Sequence, residues 1–82
     1  LAQGALLAAP RLGVAVPDRV AIAGFNDLAG SEQMLPALTT VRTPRSSIGE
    51  ASARMLLSLM RGEPVARNCV DLGFELTVRS ST

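Results

Sequence analysis

Residues 20–25, "VAIAGF", are apolar without interruption and then meet two adjacent polar side chains, Asn26 and Asp27. A strand with one wet face alternates polar and apolar residues, and this run does not. A continuous apolar run containing β-branched residues predicts a strand buried on both faces, as in a parallel sheet covered by helices. The preceding "VAVPDR" reads as a turn, with Pro17 fixing one dihedral and Asp18 suiting the next position. Before that turn, Leu1, Ala2, Ala5, Leu6 and Ala9 recur at helical spacing. Pro10 kinks that helix or starts a new turn, and Gly13 stops it. No N-cap precedes Leu1, so the chain reads as starting inside a helix, that is, as a fragment. Helix, tight turn and buried strand make half of an α/β unit.

The remaining elements fit the same class. "LAGSEQMLPAL" is broken by Gly30, Ser31 and Pro36, and residues 39–43, "TTVRT", have the composition of a short strand. "TPRSSIGEASARMLLSLMRG" predicts the longest helix, with Thr43 as cap and Pro44 in the first turn. Ile48, Ser52, Met55 and Leu59 trace one stripe on it, so Met55, Met60 and the leucines are expected in the core. Glu50 and Arg54 form a favourable pair four residues apart, and Gly62 ends the helix. "CVDLGFELTVRSST" alternates at Val70, Leu72, Phe74, Leu76 and Val78 and predicts a strand whose end, 80–82, frays. Cys69 is expected to pack as a small hydrophobe.

Composition excludes several chemistries. The chain has no His and one Cys, so the usual zinc sets and any Ser–His or Cys–His nucleophile cannot be assembled from it. Seven carboxylates remain, but their spacing pairs none of them. No catalytic residue, metal site or cofactor is expected, and the chain does not read as an enzyme. All eight basic residues are Arg, scattered at a net charge of +1, and make no face for a phosphate backbone. No apolar run is long enough to span a membrane, and 1–9 lacks the basic flank of a signal peptide. A single Cys fits a reducing compartment.

In open α/β sheets ligands bind beyond the carboxyl ends of the strands. Asn26 and Asp27 stand there, where two readings meet. They are hydrogen-bonding groups for a small polar ligand, or they are turn residues bonding the nearby backbone.

The order "VPDRVAIAGFND", "LPALTTVRTP", "IGEASARMLLSLMRGE", "VDLGFELTVRSST" resembles the carboxyl-terminal part of LacI/GalR-family transcriptional repressors, and "VRTPR" with "VDLGFEL" looks most like the gluconate-utilisation repressors. The resemblance implies a fragment of a periplasmic-binding-protein-like (type I) effector domain, α/β in class. Residues 1–38 and 68–82 would belong to one subdomain and 39–67 to the crossover and helix of the other. The DNA-binding domain is absent. It implies a cytoplasmic repressor that senses a sugar or sugar acid such as gluconate, and that meets operator DNA only through an amino-terminal domain. It would work as a homodimer or higher homo-oligomer, with no membrane partner. A solute-binding protein of a sugar transport system shares the fold and is the alternative.

By the same resemblance, Asn26 takes the place of the first acid of "GFDD", which hydrogen-bonds the effector in many relatives, and Asp27 that of the second. An amide there carries no charge and tolerates an anionic ligand. Arg45 stands near the start of the helix lining the cleft, where it pairs with a ligand carboxylate or remains a solvated first-turn arginine. Gln33, Met34 and Leu35 match a loop used in subunit pairing, or pack on their own domain. Thr43 and Pro44 are hinge candidates at the crossing between subdomains. The bare apolar faces of so short a chain are expected to be covered by a second copy.

Overall fold

A computed structural model describes residues 1–82. Its elements run α1 (Ala2–Ala8), a 3₁₀ turn (Ala9–Leu12), β1 (Ala23–Phe25), β2 (Thr39–Arg42), α2 (Arg45–Met60) and β3 (Glu75–Thr77). They form two compact units. One comprises Leu1–Thr43 and Glu75–Thr82, the other Pro44–Phe74. The boundary at Thr43 lies past the expected crossing at 39, because Thr39–Arg42 is hydrogen-bonded between β1 and β3.

In the first unit, Pro10 has no N–H to give to an α-helical ladder, and α1 tightens into the 3₁₀ turn there. Gly13 closes the turn at φ 68°, a left-handed conformation suited to a residue without Cβ. The sheet is mixed rather than purely parallel. β1 and β2 are parallel, with Ala23 opposite Thr39 and Phe25 opposite Val41, and β3 is antiparallel to β2, with Thr40 opposite Thr77. Gly24 lets α1 and the β1–β2 connection come close. A Cβ on it would lie 3.0 Å from Leu38 Cδ2 and 3.2 Å from Ala2 Cβ. Leu6, Ala9 and Leu38 are the buried apolar residues.

Polar groups are buried beside them, and the chain end supplies their partners. Ser81, fully buried, accepts a hydrogen bond from the Thr39 N–H (2.8 Å) and donates to the Ile22 carbonyl. Its own N–H goes to Ala37 O, and its carbonyl accepts from Ile22 N–H. Thr39 Oγ1 accepts from Arg79 N–H at 2.8 Å and is paired with the Thr82 hydroxyl. The expected fraying of 80–82 is therefore wrong. Those hydroxyls satisfy buried backbone groups that would otherwise cost free energy to desolvate.

In the second unit, α2 starts after Pro44 with no side-chain cap. The expected Thr43 cap is corrected, since that hydroxyl is bonded elsewhere (below). The chain leaves α2 at Gly62, φ 71°, with the Glu63 N–H returning to the Ser58 carbonyl. The Glu50–Arg54 pair forms. Asp71 Oδ1 accepts the Gly73 N–H at 2.7 Å, and Gly73 takes φ 78°. That turn cuts the expected strand down to Glu75–Thr77.

Three burial expectations are overturned. No residue of α2 is buried, and Met60 is 74% exposed. The apolar stripe faces only Val70 and Leu72 across a shallow groove of about 370 Å³. β1 is uncovered on one face, where Phe25 is 64% exposed. Cys69 is exposed too. The patterns of α2 and β1 are those of covered elements, and within this chain those faces stand exposed.

Candidate functional site

The carboxyl end of β1 carries a dense cluster of polar contacts. Asn26 and Asp27 both adopt positive φ, 76° and 44°, which short polar side chains tolerate better than branched ones. The Asn26 N–H completes the ladder onto Val41 O (2.8 Å), and the Asp27 N–H reaches Thr40 Oγ1 (3.1 Å). The turn is thus pinned to β2 by its own backbone.

The Asp27 carboxylate is enclosed by two guanidinium groups. Arg79 donates to Oδ1 at 2.8 Å and to Oδ2 at 3.3 Å, while Arg42 donates twice to Oδ2, at 2.8 and 2.7 Å. Arg79 also donates to the Leu38 carbonyl. Asp27 and Arg79 are nearly covered, whereas Arg42 is half exposed. The Arg79 hydrogen bond first, and then that of Arg42, lowers the Asp27 pKa from 3.8 to about 2, against a smaller desolvation effect. The same pairing with Asp27 raises the Arg79 pKa. Asp27 therefore ties β1, β2 and the segment after β3 together.

Asn26 is different. Its Oδ1 accepts from the Thr43 hydroxyl at 2.7 Å. Its Nδ2 makes no hydrogen bond within the chain, and no buried side-chain nitrogen or oxygen lacks a partner, so Nδ2 is open to solvent. Asn26 also lines a cavity of about 460 Å³ with Gln3, Gly24, Phe25, Leu28 and Ser31. That volume is within the range of small-molecule sites.

The other candidates are placed as follows. Arg45 is the first residue of α2 and is exposed. Gln33, Met34 and Leu35 follow the turn and do not line the cavity. Leu35 is 91% exposed and Met34 half-buried. Thr43 and Pro44 flank the boundary between the two compact units. No three His, Cys, Asp or Glu side chains gather as a metal site would need. Sequence reasoning missed Arg79 and the Thr43–Asn26 bond. Arg79 lies 52 residues from Asp27, a separation with no local signature. The alternation in "ELTVR" was the one available signal, because it puts Arg79 on the same side of the strand as Thr77.

A parallel strand pair ending in a polar turn beside a cavity, in a sheet backed by a helix, is an α/β arrangement of the open-sheet kind. The chain belongs to the periplasmic binding protein-like domain family, whose profile it matches over residues 1–82, and the relatives it matches are regulators of the LacI/GalR type. It is 52% identical over its whole length to the HTH-type transcriptional regulator GntR of Pseudomonas aeruginosa, of which it covers 24%. It is 43% identical over 93% of its length to the HTH-type transcriptional regulator IdnR of Escherichia coli K12, covering 23% of that protein. The crystal structure of transcription regulator GntR from Chromobacterium violaceum superposes with a TM-score of 0.83 at 52% identity, over 98% of this chain and 30% of that one. The lac repressor dimer bound to operator and an anti-inducer superposes with a TM-score of 0.84 at 31% identity, over 99% of this chain and 28% of that one. The chain thus spans about a quarter of the length of the curated relatives it matches.

Proposed function

We propose that the chain is part of the effector-binding and dimerisation domain of a cytoplasmic repressor that senses a sugar or sugar acid such as gluconate. The observation that carries this reading is the 52% identity to a GntR regulator across all 82 residues, the strand-end turn included. That the matched relatives are transcriptional regulators favours the repressor over a solute-binding protein of transport. In this reading Asn26 contacts the effector, Asp27 holds the turn that presents it, and Arg45 pairs with a ligand carboxylate. Gln33, Met34 and Leu35 meet the partner subunit. Thr43 and Pro44 are the hinge, and operator DNA is bound by a separate amino-terminal domain.

The test is operator affinity of the full-length protein, by fluorescence anisotropy with and without gluconate. A shift of about fivefold or more in either direction is expected of an allosteric effector. Operator binding indifferent to gluconate, glucose and related sugar acids rejects the sensing role.

A further inference from the structure

We infer that Arg79 is a positioning residue for the effector contact: from the segment after β3 it holds Asp27, and through Asp27 it holds the turn that presents Asn26. The inference rests on the proposed function in taking Asn26 as that contact.

Positive φ is costly for residues other than glycine, and two in a row persist only where their surroundings hold them. Asn26 at φ 76° and Asp27 at φ 44° share one peptide unit, so a change in one is passed to the other. The backbone supplies two ties. The Asn26 N–H reaches Val41 O at 2.8 Å, and the Asp27 N–H reaches the Thr40 hydroxyl at 3.1 Å. The charged ties are all on the Asp27 carboxylate.

The two arginines on that carboxylate are not equivalent. The Arg42 side chain is 52% exposed, and its hydrogen bonds go to Asp27 alone. Such a pair is screened by water and must order a long side chain to form. The Arg79 side chain is 12% exposed, and Arg79 is anchored at both ends. Its backbone N–H is bonded to Thr39 Oγ1 and its Nη1 to the Leu38 carbonyl, each at 2.8 Å. Nη1 also reaches Asp27 Oδ1 at 2.8 Å, and Nη2 reaches Oδ2 at 3.3 Å. Charge-assisted bonds in a partly desolvated place are stronger than exposed ones. Arg79 is therefore a fixed strut between the residues entering β2 and the turn leaving β1. Without it, Asp27 keeps only a partner that is half in solvent, and the turn relaxes at residue 27 and with it at residue 26.

The test uses the full-length protein, calorimetric titration with gluconate, and three variants. Arg79→Met keeps an apolar stem and removes every donor, and about a tenfold loss of gluconate affinity is expected. Arg42→Met is expected to lose less. Leu6→Ala opens the buried core away from the turn and lowers the unfolding midpoint without touching Asp27, so its folded form is expected to bind gluconate within about twofold of the unmodified protein. An undiminished affinity in Arg79→Met overturns the inference. So does an equal loss in Arg42→Met, which would make the clamp a shared one, or in Leu6→Ala, which would make the loss one of general stability. A second readout needs no ligand. Hydrogen exchange at the Asp27 amide is expected to quicken about tenfold in Arg79→Met while the amides of α1 hold their rates. An unmoved Asp27 amide, or one that quickens together with α1, overturns the positioning role. Should Arg79→Met not fold, Asp27→Asn removes the charge that Arg79 holds and is read the same way, with undiminished affinity and an unmoved turn amide overturning the inference. Failure of gluconate to bind the unmodified protein overturns the proposed function, and hydrogen exchange then decides the positioning of the turn by itself.

Discussion

Asp27 gives up its proton far more readily in the folded chain than a free carboxyl does, at about 2 rather than 3.8, because Arg79 and Arg42 both donate to it. Its pKa is lower folded than unfolded, so the unfolded state takes up the proton first as pH falls. The stabilisation is therefore complete above the unfolded value of 3.8 and is lost as pH drops toward about 2. Thermal unfolding of the full-length protein across that window should show a falling midpoint. Asp27→Asn should flatten the fall, and an unchanged slope in the variant would show that Asp27 is not the group responsible. Ser81 is a second single-residue tie. Ser81→Ala leaves the buried Thr39 N–H and the Ile22 carbonyl unpaired, for an expected loss of about 2–3 kcal/mol in denaturant unfolding. A loss under about 0.5 kcal/mol would show that water replaces the hydroxyl.

Among the elements, β1 leaves little room at Gly24 for added volume. Gly24→Ala puts a methyl group 3.0 Å from Leu38 Cδ2 and 3.2 Å from Ala2 Cβ. An overpacking cost of about 1–3 kcal/mol is expected in equilibrium unfolding. A neutral result would mean that α1 is displaced at no cost. Most element types were legible from local pattern. Pro10 and Gly13 marked the end of the first helix, the apolar run held β1, and the three- and four-residue spacing from Ile48 to Leu59 marked α2. β3 was overcalled because alternation from Val70 continues through Asp71 and Gly73, whose turn is a local competitor that periodicity does not register. The order of 79–82 was invisible for another reason. A polar tail reads as solvated unless its partners, about 40 to 59 residues away, are known.

For the molecule as a whole, pattern and burial disagree in an informative way. Buried apolar side chains are limited to Leu6, Ala9 and Leu38, all in the first unit, while Phe25, Leu56, Leu59, Met60, Phe74 and Val78 stand exposed. A chain of 82 residues with so small a core has little to offset the entropy of ordering. The isolated 82-residue chain is expected to self-associate through these faces, measured by analytical ultracentrifugation alongside thermal unfolding. A monomer that unfolds cooperatively would contradict that. The candidate site was legible as a place, the polar end of β1, but not as a division of labour. Only the folded structure separates Asp27, clamped by two arginines, from Asn26, whose amide nitrogen is open. That division is best tested by calorimetric titration of gluconate into the full-length protein beside its Asn26→Asp variant. Binding by the unmodified protein, with a loss of about 2 kcal/mol or more in the variant, is the expected result, since a carboxylate would replace a donor with a like charge. Equal binding by both proteins would contradict a role for Asn26 as the effector contact, and binding by neither would reject gluconate as the effector.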